Sequence, residues 1–131
     1  MGGSENCIYY DDATGRVWKR NRIDVFHLSW RQFFDRLVLH SLFFPEAPLC
    51  FEGVVEHDSQ LEGVLSQPDI VASRGAWRNE TETMMAKRGF ARRSGDDYRG
   101  ELLNVEDLHS GNVLVGEDGR LRVIDPVIYP R

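Results

Sequence analysis

The sequence predicts an α+β fold. Three observations carry that expectation: a strand–turn–strand pattern near the N-terminus, a well-capped amphipathic helix after it, and a second strand–turn–strand pattern near the C-terminus. The chain has 131 residues, 41% hydrophobic and 28% charged. That is enough for one domain with one core and short for a second full domain.

The first hairpin is read from Cys7-Ile8-Tyr9-Tyr10, rich in strand formers, and from Arg16-Val17-Trp18-Lys19-Arg20, with the turn cluster Asp11-Asp12-Ala13-Thr14-Gly15 between them. Val17 and Lys19 share one face of the second strand and Trp18 takes the other. The helix starts after Ser29, an N-cap with Gln32 three residues on, as a capping box requires. Leu28 and Phe33 are placed to form a hydrophobic staple. Trp30, Phe33, Phe34, Leu37, Val38 and Leu42 follow helical spacing as a packing face, and Pro45 ends the helix by about residue 44.

Residues 49–55 and 61–65 are apolar enough for two strands around the polar turn His57-Asp58-Ser59-Gln60. Pro68 cannot donate to a ladder, so the chain leaves the sheet or runs along its edge there. A second helix is expected from Asn79, capped with Glu82, to Gly89, with Met84, Met85 and Phe90 toward a core. Ser94-Gly95-Asp96-Asp97 is a polar loop, Arg92-Arg93 a solvated one, and residues 98–103 a further strand.

The formal charge of −5 makes the chain a poor general binder of nucleic acid or of anionic membrane. No apolar run approaches the roughly 18 residues a spanning helix needs, and the first residues carry no signal-peptide core. Cys7 and Cys50 are too few for a disulfide scaffold or a four-ligand zinc site. The expectation is a cytoplasmic protein with two reduced, buried thiols, no nucleic-acid partner and no membrane partner.

The chemistry concentrates near the C-terminus. Residues 112–115 and 120–124 are strand patterns joined by Gly116-Glu117-Asp118-Gly119, with an Asp-Gly step. A turn centred on Glu117 and Asp118 sets Val115 opposite Arg120 and brings Asn112 and Asp125 to the open end of the hairpin. Asp107 lies just before, on a loop whose Ser110-Gly111 lets it curl back. Asp and Asn oxygens are hard ligands suited to Mg2+, and a free carboxylate can orient or deprotonate a hydroxyl. At hairpin ends such residues are commonly only turn and cap residues. The joint spacing sets these apart: Asn112 comes 5 positions after Asp107, and Asp125 comes 13 after Asn112, across a strand–turn–strand.

The segment Asp107-Leu108-His109-Ser110-Gly111-Asn112-Val113-Leu114 resembles the catalytic loop of protein-kinase-like phosphotransferases, in the form seen in aminoglycoside-type and atypical kinases. Gly15-Arg16-Val17-Trp18-Lys19 is similar to the strand bearing the nucleotide lysine. Leu42-Phe43-Phe44-Pro45-Glu46, Gln67-Pro68-Asp69-Ile70 and Arg88-Gly89-Phe90 follow in order. Together they resemble the small kinase-like domain of phage and mobile-element polyvalent proteins. The resemblance implies a minimal kinase-like fold over residues 1–131, with an N-lobe-like part (1–67), a truncated helical C-lobe-like part (68–131), and the nucleotide between them.

The resemblance also implies roles. Asp107 would position the acceptor hydroxyl, His109 would stabilise charge near the transferred phosphate, and Asn112 and Asp125 would hold Mg2+. Lys19 would contact the α/β-phosphates of ATP, and the backbone of residues 66–70, around Gln67 and Asp69, would be the hinge that binds adenine. His27, His40 and His57 show no ligand spacing. Several positions depart from the pattern. Val105-Glu106 precedes Asp107 in place of His-Arg, and Pro126-Val127 follows Asp125 in place of Phe-Gly. The helix lacks glutamate, leaving Asp35, or Glu46 after it, as partner for Lys19, and the glycine-rich loop is reduced to Gly2-Gly3-Ser4. The leading expectation is an ATP- and Mg2+-dependent transfer to a hydroxyl acceptor, with a protein as one candidate. The alternatives are a nucleotide-binding pseudokinase and a small-molecule kinase of the aminoglycoside type. From its short length the chain is expected to be either a minimal kinase, with a homodimer partner as one way of completing it, or a piece of a larger parent polypeptide.

Overall fold

The computed structural model describes residues 6–22 and 29–131. It confirms an α+β chain that divides into two compact units, Met1–Asp69 and Ile70–Arg131. Gly2-Gly3-Ser4 and the Leu28 half of the staple lie outside the described residues. Among the described residues no helix is long and apolar enough to cross a membrane.

The first unit holds β1 (Asn6–Asp11), β2 (Arg16–Arg22), α1 (Trp30–Phe43), β3 (Cys50–His57) and β4 (Gln60–Pro68). Its sheet runs β1-β2-β4-β3, antiparallel throughout. The β1–β2 turn closes as its residues dictate: the Asp11 carboxylate accepts from Ala13 N–H and Thr14 Oγ1, and Gly15 takes the left-handed conformation at φ +65°. The β3–β4 turn places Asp58 and Ser59 at φ +52° and +63°, the two positive values a tight primed hairpin turn requires. β4 is longer than residues 61–65. Pro68 is tolerated because the chain is at an edge there: β3 pairs only as far as Ser66, while Gln67 and Pro68 pair with β2 alone.

α1 begins with the expected capping box: Ser29 Oγ accepts from Gln32 N–H at 3.1 Å, and Gln32 Oε1 accepts from Ser29 N–H at 3.0 Å. Phe33 packs flat on the sheet, where a Cβ on Gly63 would lie 2.6 Å from its ring. Leu65, with Trp30, Leu37 and Leu49 partly covered, completes this core. The apolar stripe of α1 is only half used: Phe34, Val38 and Leu42 are exposed. His40 is buried, and its Nε2–H donates to the Ala47 carbonyl at 2.7 Å, tying down the loop that follows the helix. Cys50 is a free thiol and, against expectation, exposed, because β3 is an edge strand with little covering it.

The second unit holds β5 (Ala72–Gly75), α2 (Arg78–Lys87), β6 (Ala91–Ser94), β7 (Asp97–Arg99), β8 (Leu103–Glu106), β9 (Val113–Gly116), β10 (Leu121–Val123) and β11 (Val127–Pro130). They form two sheets, β10-β9-β5 and β11-β8-β7-β6. The part expected to be a truncated helical lobe is therefore mostly strand, with one ten-residue helix. Its buried apolar side chains include Met85, Phe90, Tyr98, Val105, Leu108, Val113, Val115, Val123 and Ile128.

The N-cap of α2 lies two residues before Asn79. Trp77 is the N-cap, and Glu80 rather than Glu82 closes the first turn, accepting from Trp77 N–H at 2.9 Å. Arg74 fixes that choice by a two-pronged bond to Glu80 at 2.7 and 2.9 Å. This pairing holds the Glu80 carboxyl down to about 2. The helix ends on Gly89 at φ +88°, with Phe90 N–H to Met85 O and Gly89 N–H to Ala86 O, the paired bonds of a Schellman stop. Arg92-Arg93 is strand, not loop, and Arg92 pairs with Glu82 at 2.8 Å. Residues 98–103 split into β7 and β8 around Gly100, where a Cβ would meet the Phe90 ring at 2.8 Å.

Candidate functional site

The β9–β10 hairpin pairs one residue out of the expected register. Val115 faces Leu121, not Arg120, and Val113 faces Val123. The reason is Gly119, which at φ +80° adds a third residue to the turn, leaving Gly116 N–H bonded to Arg120 O. Asp118 braces this turn through Arg120 N–H and Arg122, and those bonds hold its carboxyl below the ordinary range. One step outward, Ile124 N–H donates to Asn112 O at 3.0 Å, so Asp125 comes one residue after the position facing Asn112.

A second ladder reaches the same place. β11 pairs with β8 so that Val127 faces Glu106. Asp107 follows Glu106 and Asp125 precedes Val127 by two residues. The backbone thus brings Asp107, Asn112 and Asp125 to one corner by two independent pairings.

Asp107 stands in the left-handed region at φ +69°. The other non-glycine residues with positive φ among the described residues, Asp58 and Ser59, are explained by their hairpin turn. Asp107 is in no such turn. It is held there by Asp97 Oδ1, which accepts its N–H at 3.3 Å, and by Asn112 Nδ2, which donates to the Asp107 carbonyl at 2.9 Å and to its carboxylate at 3.2 Å. Its side chain is 55% exposed, open to an incoming group. Backbone strain of this kind, on the order of 1–3 kcal/mol, persists where the surroundings over-determine it and clusters at functional sites. Leu108 is buried and anchors the loop, and its N–H donates to Asp96 O.

His109 Nδ1 accepts from Gly111 N–H at 3.0 Å, which leaves the proton of the neutral ring on Nε2. Nε2 lies 3.6 Å from the Asp107 carboxylate. Gly111 is needed for this ring position, since a Cβ there would meet His109 Cε1 at 2.8 Å. Ser110 is pressed from behind by Gly75, where a Cβ would lie 2.3 Å from the Ser110 carbonyl oxygen.

The remaining sequence-derived residues lie in the first unit. Lys19 is half-buried on β2, between Ile8 and Leu65 in the sheet. Gln67 is buried on β4 opposite Val17, and Asp69, exposed, donates its N–H to Gly15 O at 3.0 Å. Beside them is a polar cluster that sequence spacing does not reveal. Buried Ser66 accepts from Arg16 at 2.9 and 3.1 Å and donates to Glu52 at 2.5 Å. Asp35 is ion-paired with Arg31 at 3.9 Å on its own helix. Asp96, Asp97, Gly75 and the Tyr129–Glu106 hydrogen bond are likewise supports found only in the fold. That bond holds the Tyr129 phenol above its ordinary range. Among the described residues no three His, Cys, Asp or Glu side chains gather as a metal cluster.

An Asp-to-Asn loop that feeds a strand–turn–strand ending in Asp is the arrangement of kinases. The whole chain, residues 1–131, matches the family described as Serine/Threonine/Tyrosine Kinase found in polyvalent proteins, and it belongs to that family. No curated protein and no solved structure matches it.

Proposed function

We propose that this chain transfers the γ-phosphoryl group of ATP to a serine, threonine or tyrosine hydroxyl with Mg2+, using Asp107, His109, Asn112 and Asp125. The observation that carries the reading is Asp107: an exposed carboxylate held at positive φ, with the Asn112 amide on one of its oxygens. The family supplies nucleotide use and a hydroxyl acceptor in general terms.

Asn112 Nδ2 fixes the Asp107 carboxylate, so its other oxygen is presented to an acceptor hydroxyl. As the hydroxyl oxygen bonds to the γ-phosphorus and the bond to the ADP oxygen breaks, the hydroxyl proton passes to Asp107. His109, with its proton on Nε2, donates toward the transferred group. The donor chemistry fits a hard cation: with Nδ2 committed to Asp107, Asn112 offers its amide oxygen, and Asp125 offers a carboxylate one residue beyond the position facing it. Mg2+, when bound, supplies charge neutralisation at the phosphates. Lys19, Gln67 and Asp69 are proposed as the nucleotide contacts on the first unit.

Incubation with γ-labelled ATP and a general protein acceptor tests this. Asp107→Ala is expected to lower transfer by at least about 10²-fold. Undiminished transfer in that variant removes Asp107 from the reaction. A second reading, a nucleotide-binding pseudokinase, is favoured by one observation: the only carboxylate on α1, Asp35, is exposed and paired with Arg31. It predicts a thermal shift with ATP and no label transfer.

A further inference from the structure

We propose that Tyr129 is a positioning residue for Asp107, acting through its hydrogen bond to Glu106. The inference rests on the proposed role of Asp107.

Asp107 is the first residue after β8, so the direction in which its carboxylate projects depends on how the end of β8 is held. Asn112 Nδ2 holds Asp107 from the loop side, through its carbonyl at 2.9 Å and its carboxylate at 3.2 Å, while the N–H bond to Asp97 on the strand side is longer at 3.3 Å. The strand end is fixed from β11. In the β8–β11 ladder Val105 faces Ile128, and both are buried. Glu106 therefore projects from the opposite face, the face shared with Val127 and Tyr129. Glu106 and Tyr129 are diagonal neighbours across the pair, a separation that an aromatic side chain spans. The Tyr129 hydroxyl donates to Glu106 Oε2. A bond to an ionised carboxylate is among the stronger ones.

The same strand begins two residues after Asp125. Tyr129 thus sits on the segment that carries Asp125 into place and grips the residue that carries Asp107 into place. Its hydroxyl links the two carboxylates of the site without touching either. Losing it leaves both ladders intact but removes the side-chain tie at the last pair, so Asp107 projects from a looser strand end, and small misplacements of reacting groups are costly in rate.

Tyr129→Phe keeps the ring and removes only the hydroxyl. The expected result is a fall in kcat of roughly tenfold with an unchanged KM for ATP, together with faster amide exchange at residues 106–112. Glu106→Gln retains an acceptor but loses the charge, and is expected to fall between wild type and Glu106→Leu in both readouts. Glu106→Leu should match Tyr129→Phe, and the Tyr129→Phe/Glu106→Leu double variant should be no worse than either single one. Wild-type kcat and exchange in Tyr129→Phe would overturn the proposal, as would Glu106→Gln behaving like Glu106→Leu. If the wild-type chain transfers no phosphate, the kinase reading fails by itself, and the exchange comparison still decides whether Tyr129 holds the loop.

Discussion

Replacing Gly75 by alanine is expected to slow phosphoryl transfer about a hundredfold while the chain stays folded. Gly75 ends β5 and lies against the loop between Asp107 and Asn112. A Cβ there would stand 2.3 Å from the Ser110 carbonyl oxygen and 2.9 Å from Ser110 Cβ, whereas ordinary contact begins at 3.4 Å. Ser110 must therefore retreat by about 1 Å, and it is backbone that has to move. The loop cannot absorb this locally, because Asn112 N–H and Val113 N–H both bond to His109 O, at 2.9 and 3.1 Å. The shift passes to the Asp107–Asn112 contact, and a misplacement of about 1 Å can cost on the order of 10² in rate. Overpacking alone should cost about 1–3 kcal/mol of stability. Turnover and urea denaturation are to be measured together, with Gly100→Ala as the control. Its Cβ would strain the Phe90 ring, not the loop, so it should lower stability and spare kcat. A folded Gly75→Ala with wild-type turnover would refute the idea that this glycine sets the loop position.

Other expectations concern the supports. Ser29→Ala removes the N-cap of α1 and should cost about 1 kcal/mol in urea denaturation; Gln32→Ala, which removes the other half of the box, should cost less. Arg74 holds Glu80 down to about 2 from 4.5, so the folded state binds that proton less readily than the unfolded state. The stability this contributes is therefore present above about pH 4.5 and is lost as pH falls toward 2. Arg74→Leu should flatten the acid side of the stability profile across that window, and an unchanged slope would show that the pair contributes nothing there.

Much of the first unit was legible because its signals are local. Ser29 and Gln32 make their cap within one turn, and the β1–β2 turn is written in Asp11 and Gly15. Longer-range choices were not legible. Asn79 with Glu82 looks as good a cap as the one formed, until Arg74 is seen to hold Glu80. Ala72–Gly75 has few strand formers and is a strand because β9 offers it a partner. Val127–Pro130 follows a proline and is only four residues long, yet it pairs along all of β8. The hairpin register slipped by one because a glycine at positive φ lengthened the turn. At the candidate site, spacing pointed to Asp107, Asn112 and Asp125, while what brings them together is the fold. Asp97, Gly75 and Tyr129 come from elsewhere in the chain and carry no motif of their own.

A structure of the chain with a non-hydrolysable ATP analogue and Mg2+ tests the central claim most directly. The account predicts one Mg2+ bound by the Asn112 amide oxygen and an Asp125 carboxylate oxygen, each at about 2.1 Å, with the terminal phosphate facing Asp107. A metal–nucleotide complex held away from Asn112 and Asp125 would contradict it.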